Sequence, residues 1–228
     1  MVRRRLDRFL TRESARQAWH SFSFGTSYDP ERTSFGPLIA LNDELLGPGA
    51  GHAAHDHADV VLVTWVVYGE LCHTDESGTS LQPAGQLAVT HAGSGTTHSE
   101  TAAEGATRFV QMWLRPGETG GALTRETGVP DLGRGGLVHV AGADGLRLGV
   151  PGAELWLGTL DAGETVTLPG AARVYAFVVT GALTRSSLAE PLAAGDAFEI
   201  TEPGDAAARE LSVTAAVPTQ LLVWTFAD

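Results

Sequence analysis

One pattern of residues occurs twice in the chain. The stretch TWVVYGELCHTDESGTSLQPAGQLAVT (64–90) resembles YAFVVTGALTRSSLAEPLAAGDAFEIT (175–201). In both, an apolar strand is followed by a glycine, a polar hairpin, a second glycine and another strand, and Gly69 of the first copy corresponds to Gly181 of the second. A repeat of this length predicts two domains of the same architecture, each able to form its own core.

The boundary between the two domains is predicted in a segment with little periodicity. Residues 116–136, PGETGGALTRETGVPDLGRGG, are rich in glycine and threonine, which is typical of connecting segments. We therefore predict an N-terminal domain of residues 1–120 and a C-terminal domain of residues 121–228.

Short β-rich runs separated by turn residues make up most of the sequence, among them DVVLVTWVVYG, GQLAVTHAG and TQLLVWTF. In RFVQMWL, Phe109 and Gln111 face one way and Val110 the other, which is the period of two typical of strands. These features predict an all-β protein built from antiparallel sandwiches or barrels. Short helices are predicted only at residues 13–18 and near 119–127.

The charge of the chain limits its partners. It contains 27 acidic and 15 basic residues, a formal net charge of −12. A surface of this sign repels phosphate backbones, so we expect no direct contact with nucleic acid. The basic run RRR at residues 3–5 is predicted to be a mobile, solvated arm rather than a binding patch.

Cysteine use and hydropathy bear on the compartment. The single cysteine, Cys72, excludes an internal disulfide and favours a reducing environment. No apolar run is long enough for a membrane-spanning helix, and the first residues lack the apolar core of a secretory signal. We expect a cytoplasmic protein without a membrane partner.

The histidines are concentrated in the first copy of the repeat. GHAAHDHAD carries His55 and His57, and AGSGTTHSE carries His98 and Glu100. Because residues i and i+2 of a strand point to the same face, two adjacent strands would direct three imidazoles and one carboxylate at one point. This donor set suits a divalent transition metal and leaves positions open for water, dioxygen or substrate.

The other histidines of this region are given smaller parts. His52 lies in a glycine-rich loop and is predicted to be exposed rather than a fifth ligand. His73 is expected to hydrogen-bond to the turn that follows it. For His20 and His91, a place beside the site and a purely structural place both stay open. The second copy of the repeat has no histidines at the corresponding positions.

Taken in order, these stretches resemble the pirin family, a branch of the cupins. The resemblance implies a bicupin of two antiparallel jelly-roll barrels, of which the first binds a metal and the second lacks metal ligands. It assigns the metal ligands to His55, His57, His98 and Glu100. The segments that carry it are WHSFSF (19–24), YDP (28–30), LND (41–43), HDH (55–57), TWVVYGELCHTDESG (64–78), AGSGTTHSE (92–100) and FVQMWLRP (109–116).

The resemblance also implies a function. The first hypothesis is a metal-dependent dioxygenase that opens the ring of quercetin or a related flavonol with O2, with Glu100 as the catalytic proton acceptor. Fe2+ is the metal expected first, with Mn, Co, Ni, Cu and Zn as alternatives. The second hypothesis is a metal-containing regulator or redox sensor that binds a protein partner.

The chain departs from the family pattern at two positions beside the paired histidines. Asp56 stands where proline is usual, and Val61 stands where an acidic residue is common. Glu100 is therefore the only carboxylate expected near the metal.

Overall fold

The computed structural model describes residues 1–185, 190–201 and 211–227. Within these ranges the regular structure is β-strand apart from one 3-10 turn, Arg5–Asp7, which confirms the all-β class predicted from the sequence. None of the helical structure in the described ranges is long and apolar enough to cross a membrane.

The chain divides into two compact units. The N-terminal unit is Arg8–Pro130, and the C-terminal unit combines Met1–Asp7 with Asp131–Asp228. The division predicted from the sequence, 1–120 and 121–228, differs in assigning the first seven residues and the segment before residue 131. The division at residues 120 and 121 stays a prediction.

The N-terminal unit consists of two antiparallel sheets. A seven-stranded sheet has the order β12-β9-β6-β11-β4-β3-β2, and a four-stranded sheet has the order β5-β10-β7-β8. After β1 (Val2–Arg3), the strands of this unit are β2 (Phe9–Arg12), β3 (Arg16–His20), β4 (Leu38–Leu46), β5 (Gly51–His57), β6 (Val61–Tyr68), β7 (Glu70–Asp75), β8 (Gly78–Pro83), β9 (Leu87–His91), β10 (Thr96–Ala102), β11 (Thr107–Leu114) and β12 (Thr124–Gly128).

The two sheets of this unit face each other, and their inner faces are not uniformly apolar. One cluster of buried side chains draws Leu46, Val66 and Phe109 from the larger sheet and Leu71 and Ala102 from the smaller one. Burial of these side chains is the driving force that holds the sheets together. Other inward positions carry polar residues, and these form the candidate site.

The C-terminal unit repeats this topology strand by strand. Its main sheet has the order β1-β19-β16-β21-β14-β13, and these strands correspond in turn to β12-β9-β6-β11-β4-β3 of the N-terminal unit. The pairs β15-β20 and β17-β18 correspond to the smaller sheet. The strands are β13 (Gly136–Ala141), β14 (Ala153–Leu160), β15 (Thr165–Thr167), β16 (Arg173–Thr180), β17 (Ala182–Leu183), β18 (Leu192–Ala193), β19 (Ala197–Thr201), β20 (Ser212–Thr214) and β21 (Thr219–Phe226).

The repeat extends to the conformation of single residues. Gly69 and Gly181 have φ angles of 80° and 81°, in the left-handed region that only glycine adopts readily. A Cβ at Gly69 would lie 2.5 Å from the Ala106 carbonyl oxygen, and one at Gly181 would lie 2.3 Å from that of Pro218. The pattern noticed in the sequence therefore marks a backbone turn that both units need.

The two predictions of short helices, at residues 13–18 and near 119–127, are wrong. Part of residues 13–18 lies in strand β3, which pairs with β4, and part of 119–127 lies in strand β12, which pairs with β9. The helix-compatible composition of these segments is overridden by cross-strand pairing, as propensity often is.

The prediction of a mobile basic arm is also wrong. β1 pairs with β19 at the edge of the C-terminal sheet. The Arg3 Nε donates to Glu199 Oε1 at 3.0 Å, and Arg4 Nη1 donates to Asp196 Oδ2 at 2.9 Å. The basic run is thus neutralised by carboxylates of its own unit rather than offered to a polyanion.

Candidate metal centre

The candidate ligands lie on two neighbouring strands of the smaller sheet. β5 and β10 are antiparallel, and His55 is directly opposite His98. A register shift follows between His98 and Glu100, so that Glu100 is opposite His52. Such an irregularity turns side chains relative to a regular ladder and is common beside functional sites.

Three imidazoles meet at this point. The ring centroids of His55 and His98 are 4.6 Å apart, and His57 lies 4.8 Å from each of them. His57 and His98 are buried, whereas His55 is half-buried. Their ligand-type nitrogen atoms all lie within 4.8 Å of one another.

The hydrogen bonds of these rings leave nitrogen atoms for a cation. The His55 Nδ1 contacts the Ala53 carbonyl oxygen at 2.7 Å, so Nδ1 carries the proton and Nε2 of the neutral ring carries the lone pair. That Nε2 lies 3.1 Å from the His98 Nε2. The His57 Nε2 and the His98 Nδ1 are buried without a hydrogen-bond partner, which is costly in a protein interior.

Burial keeps two of the rings neutral. It lowers the pKa of His57 to about 4, and the charge of His55 adds to this effect. Burial also lowers the pKa of His98 to about 4, although Glu100 acts in the opposite direction. Near neutral pH these imidazoles hold no extra proton, which is the state required of a metal ligand.

Glu100 is held beside this cluster by two neighbours. The Gln111 Nε2 donates to its Oε2 at 2.7 Å, and the His73 Nδ1 lies 3.6 Å from its Oε1. Burial alone would raise the pKa of Glu100, but three neighbours lower it to about 2: the hydrogen bond from His73, the charge of His98, which is protonated at the low pH where Glu100 titrates, and the Gln111 amide. The carboxylate is therefore ionised and can serve as an anionic ligand.

His73 is a member of the cluster that sequence reasoning placed only at a turn. Its expected bond to the turn exists, since its Nε2 contacts Asp75 Oδ2 at 3.1 Å. It also lies 5.0 Å from the His98 ring, and its ligand-type atoms group with those of His98 and Glu100. The alternation of strand β7, in which Leu71 and His73 are both buried, was the signal that could have placed it here.

His52 is not the exposed loop residue predicted from the sequence. It lies in strand β5, its Nε2 is 2.8 Å from Glu44 Oε2, and Arg16 Nη1 contacts the same ring. Burial would lower the pKa of His52, but the bond to Glu44 and its charge raise it. His52 is therefore paired with the carboxylate of Glu44, and it belongs to neither group of ligand-type atoms.

The sequence left the roles of His20 and His91 open, and the structure shows the neighbours of each. His20 lies between Thr11 and Asn42, which contact its Nε2 and Nδ1 at 2.9 Å each, and its ring stacks on Phe24. His91 ends strand β9 and is half-buried opposite Val61. Neither belongs to a group of ligand-type atoms in the described part of the chain.

An aromatic ring and an amide connect the two sides of the cluster. The Trp113 Nε1 donates to Gln111 Oε1 at 3.0 Å, and the Trp113 ring meets the His57 ring edge-on at 4.7 Å. Gln111 in turn holds Glu100. One tryptophan therefore packs against an imidazole and, through Gln111, fixes the orientation of the carboxylate. The sequence alone gave Trp113 only a place in the core.

Among the residues that the structure describes, the arrangement occurs in one of the two repeats. In the C-terminal unit the equivalent strands β15 and β20 face each other with hydroxyl pairs: Thr165 with Thr214 at 2.8 Å and Thr167 with Ser212 at 3.1 Å. Both groups of metal-compatible side chains found among the described residues belong to the N-terminal unit.

Comparisons with known proteins agree with these observations. The family model described as Pirin matches residues 3–114. A Mycobacterium tuberculosis protein provisionally named a quercetin 2,3-dioxygenase is 41% identical over 234 residues, covering 98% of this chain and 93% of its own length. An Escherichia coli quercetin 2,3-dioxygenase is 37% identical over 106 residues, or 45% of this chain and 46% of that protein.

Solved structures give the same result for the fold. The bacterial pirin YhhW from Escherichia coli, in complex with nickel(II), superposes with a TM-score of 0.89 at 25% identity, covering 100% of this chain and 99% of that one. A structure titled quercetin 2,3-dioxygenase from Acinetobacter baumannii has a TM-score of 0.74 at 22% identity, covering 92% and 80% of the two chains.

Proposed function

Because the chain belongs to the pirin family, we propose that His55, His57, His98 and Glu100 hold one divalent transition metal. We further propose that this centre opens the ring of a flavonol such as quercetin with dioxygen. The observation that carries the proposal is a pair of overlapping groups of ligand-type atoms that share His98: one contains the three imidazoles, and the other contains the carboxylate of Glu100. Within the first group, the buried Nε2 of His57 has no hydrogen-bond partner and is placed to bind an ion.

The spacing of the donors suits a single ion. Two nitrogen atoms that are each about 2.1 Å from one metal and subtend a right angle there are about 3 Å apart, and the Nε2 atoms of His55 and His98 are 3.1 Å apart. Imidazoles with one carboxylate and open positions are typical of non-haem iron oxygenases. We therefore propose Fe2+ first, and Mn, Co, Ni, Cu or Zn as alternatives.

The chain's own residues would position the flavonol and move its proton. When bound, the metal supplies Lewis-acid stabilisation of the deprotonated 3-hydroxyl and a site for dioxygen. Glu100 would accept the hydroxyl proton. His73, whose Nδ1 lies 3.6 Å from the carboxylate and whose Nε2 contacts Asp75, and the Gln111 amide would hold Glu100 in position to do so.

The test combines metal content with turnover. Protein purified without added metal is analysed for bound elements, loaded with each candidate metal, and assayed for loss of quercetin absorbance together with oxygen uptake. His98→Ala should abolish metal binding and turnover, whereas His91→Ala, which removes an imidazole outside the cluster, should retain both. Absence of turnover with several flavonols and every metal would refute the dioxygenase proposal.

A further inference from the structure

A cleft in the N-terminal unit adjoins the candidate metal centre. Its volume is about 890 Å³, and it is lined by Asp56, His57, Ala58, Glu76 and residues 94–97. This size falls within the range of small-molecule sites, about 300–1,000 Å³. His57 belongs both to the wall of the cleft and to the imidazole cluster, so a molecule in the cleft would lie beside the candidate centre.

His57 is the part of the cleft wall that indicates a ligand. Its side chain is 8% exposed, and its Nε2 is buried without a hydrogen-bond partner. The His57 ring lies 4.8 Å from the His55 ring and 4.8 Å from the His98 ring. His57 is therefore the residue through which the cleft adjoins the imidazole cluster.

The remaining polar residues of the wall give the cleft a negative charge. Thr97 Oγ1 donates to Asp56 Oδ1 at 2.5 Å, and Thr96 Oγ1 donates to Glu76 Oε2 at 2.7 Å. Each threonine fixes one carboxylate oxygen and leaves the second for a donor on a ligand. No lysine or arginine is among the residues that line the cleft. Two carboxylates thus line the cleft without a compensating cation among its lining residues.

We infer that this cleft admits the substrate of the metal centre and selects uncharged, hydroxyl-bearing molecules over anionic ones. The inference rests on the proposed function and names its substrate class. Hydroxyl groups donate to the carboxylates of Asp56 and Glu76, whereas an anion is repelled by both. Asp56 occupies the position at which the resemblance leads one to expect proline, so this selectivity is a property of this chain.

The test measures binding without turnover. Metal-loaded protein is titrated under anaerobic conditions with quercetin, with its anionic 5′-sulfonate, and with 3-hydroxyflavone, which lacks the other hydroxyl groups. The wild-type protein should bind quercetin about tenfold more tightly than the sulfonate and about threefold more tightly than 3-hydroxyflavone. In the double variant Asp56→Asn/Glu76→Gln, both preferences should fall below about twofold.

A matched variant separates the local field from the net charge. Glu31→Gln/Glu104→Gln removes two exposed charges outside the cleft, and it should keep the wild-type preferences. The inference is overturned if the sulfonate binds as well as quercetin, if the cleft variant keeps the wild-type ratios, or if the control variant loses them. Failure of all three ligands to bind overturns it as well. The predicted binding preferences without turnover in air would uphold this inference and refute the dioxygenase.

Discussion

Gln111 offers the sharpest test of how the centre is supported. Gln111→Met keeps the side-chain volume and removes the amide that donates to Glu100 at 2.7 Å and accepts from Trp113 at 3.0 Å. Two effects oppose each other. Without the donor, the Glu100 carboxylate becomes more basic, which favours metal binding, but it is also free to rotate, which disfavours it.

Loss of orientation should outweigh the gain in basicity. Changes to side chains that orient a ligand typically reduce metal affinity by about 10–100-fold, or about 1.4–2.7 kcal/mol. The variant also leaves the indole N–H of the half-buried Trp113 without its acceptor, and loss of one such hydrogen bond costs about 1 kcal/mol of folding stability. We therefore expect weaker metal binding together with a lower free energy of unfolding in the metal-free protein.

Metal affinity is measured by competition with a chromogenic chelator, and stability by urea unfolding of the metal-free protein. Trp113→Phe is the matched control, because it removes the same indole donor but leaves Gln111 bonded to Glu100. It should lose less than about threefold in affinity. Unchanged or tighter metal binding by Gln111→Met would show that basicity dominates and that Gln111 does not position the ligand.

Three further results are expected. Gly69→Ala should lower the free energy of unfolding by about 3 kcal/mol, and Gly85→Ala should lower it by about 1 kcal/mol. Both glycines have a φ of 80°, but only at Gly69 would a Cβ lie against backbone atoms. Equal losses of stability in urea titrations would contradict this steric argument. Asp43→Asn should cost about 3 kcal/mol, because it removes the carboxylate charge that lies 3.8 Å from the buried Arg8 guanidinium and also accepts from Arg108 Nε at 2.8 Å. The exposed Asp161→Asn should cost less than about 0.5 kcal/mol. Metal at about 100 times its dissociation constant should raise the free energy of unfolding by about 2.7 kcal/mol, and calorimetry should show no such gain for His98→Ala.

The fold was largely predictable because its signals are local. Alternating runs such as β11, and glycines at fixed turns, specify strands and hairpins whatever their partners. Residues 13–18 and 3–5 were misread for the opposite reason. Their conformation depends on partners distant in sequence, such as Leu46 opposite Arg16 and Glu199 bonded to Arg3.

The candidate site was predictable in part for the same reason. The spacing of His55 and His57, like that of His98 and Glu100, predicts a shared face within each strand. His73 reaches the cluster because β7 pairs with β10 and places it opposite Glu100, and Gln111 reaches it through the packing of one sheet on the other. The spacing within a strand specifies neither contact. Their contact with Glu100 is a property of the folded unit.

The two units show that the scaffold and the site are separable. Both keep the glycine turn, and in both a threonine hydroxyl stabilises it: Thr107 Oγ1 donates to the Glu70 carbonyl and Thr219 Oγ1 to that of Ala182. The units differ in one strand pair, which is β5-β10 in the N-terminal unit and β15-β20 in the C-terminal unit. Among the described residues, only the first pair carries the candidate metal ligands. Hydroxyls in the C-terminal pair satisfy each other, whereas the imidazoles of the N-terminal pair leave buried nitrogens without partners. Unsatisfied polar atoms on an otherwise shared scaffold are tolerated where a ligand completes them, and among the described residues this difference, more than the fold, distinguishes the N-terminal strand pair as the candidate metal centre.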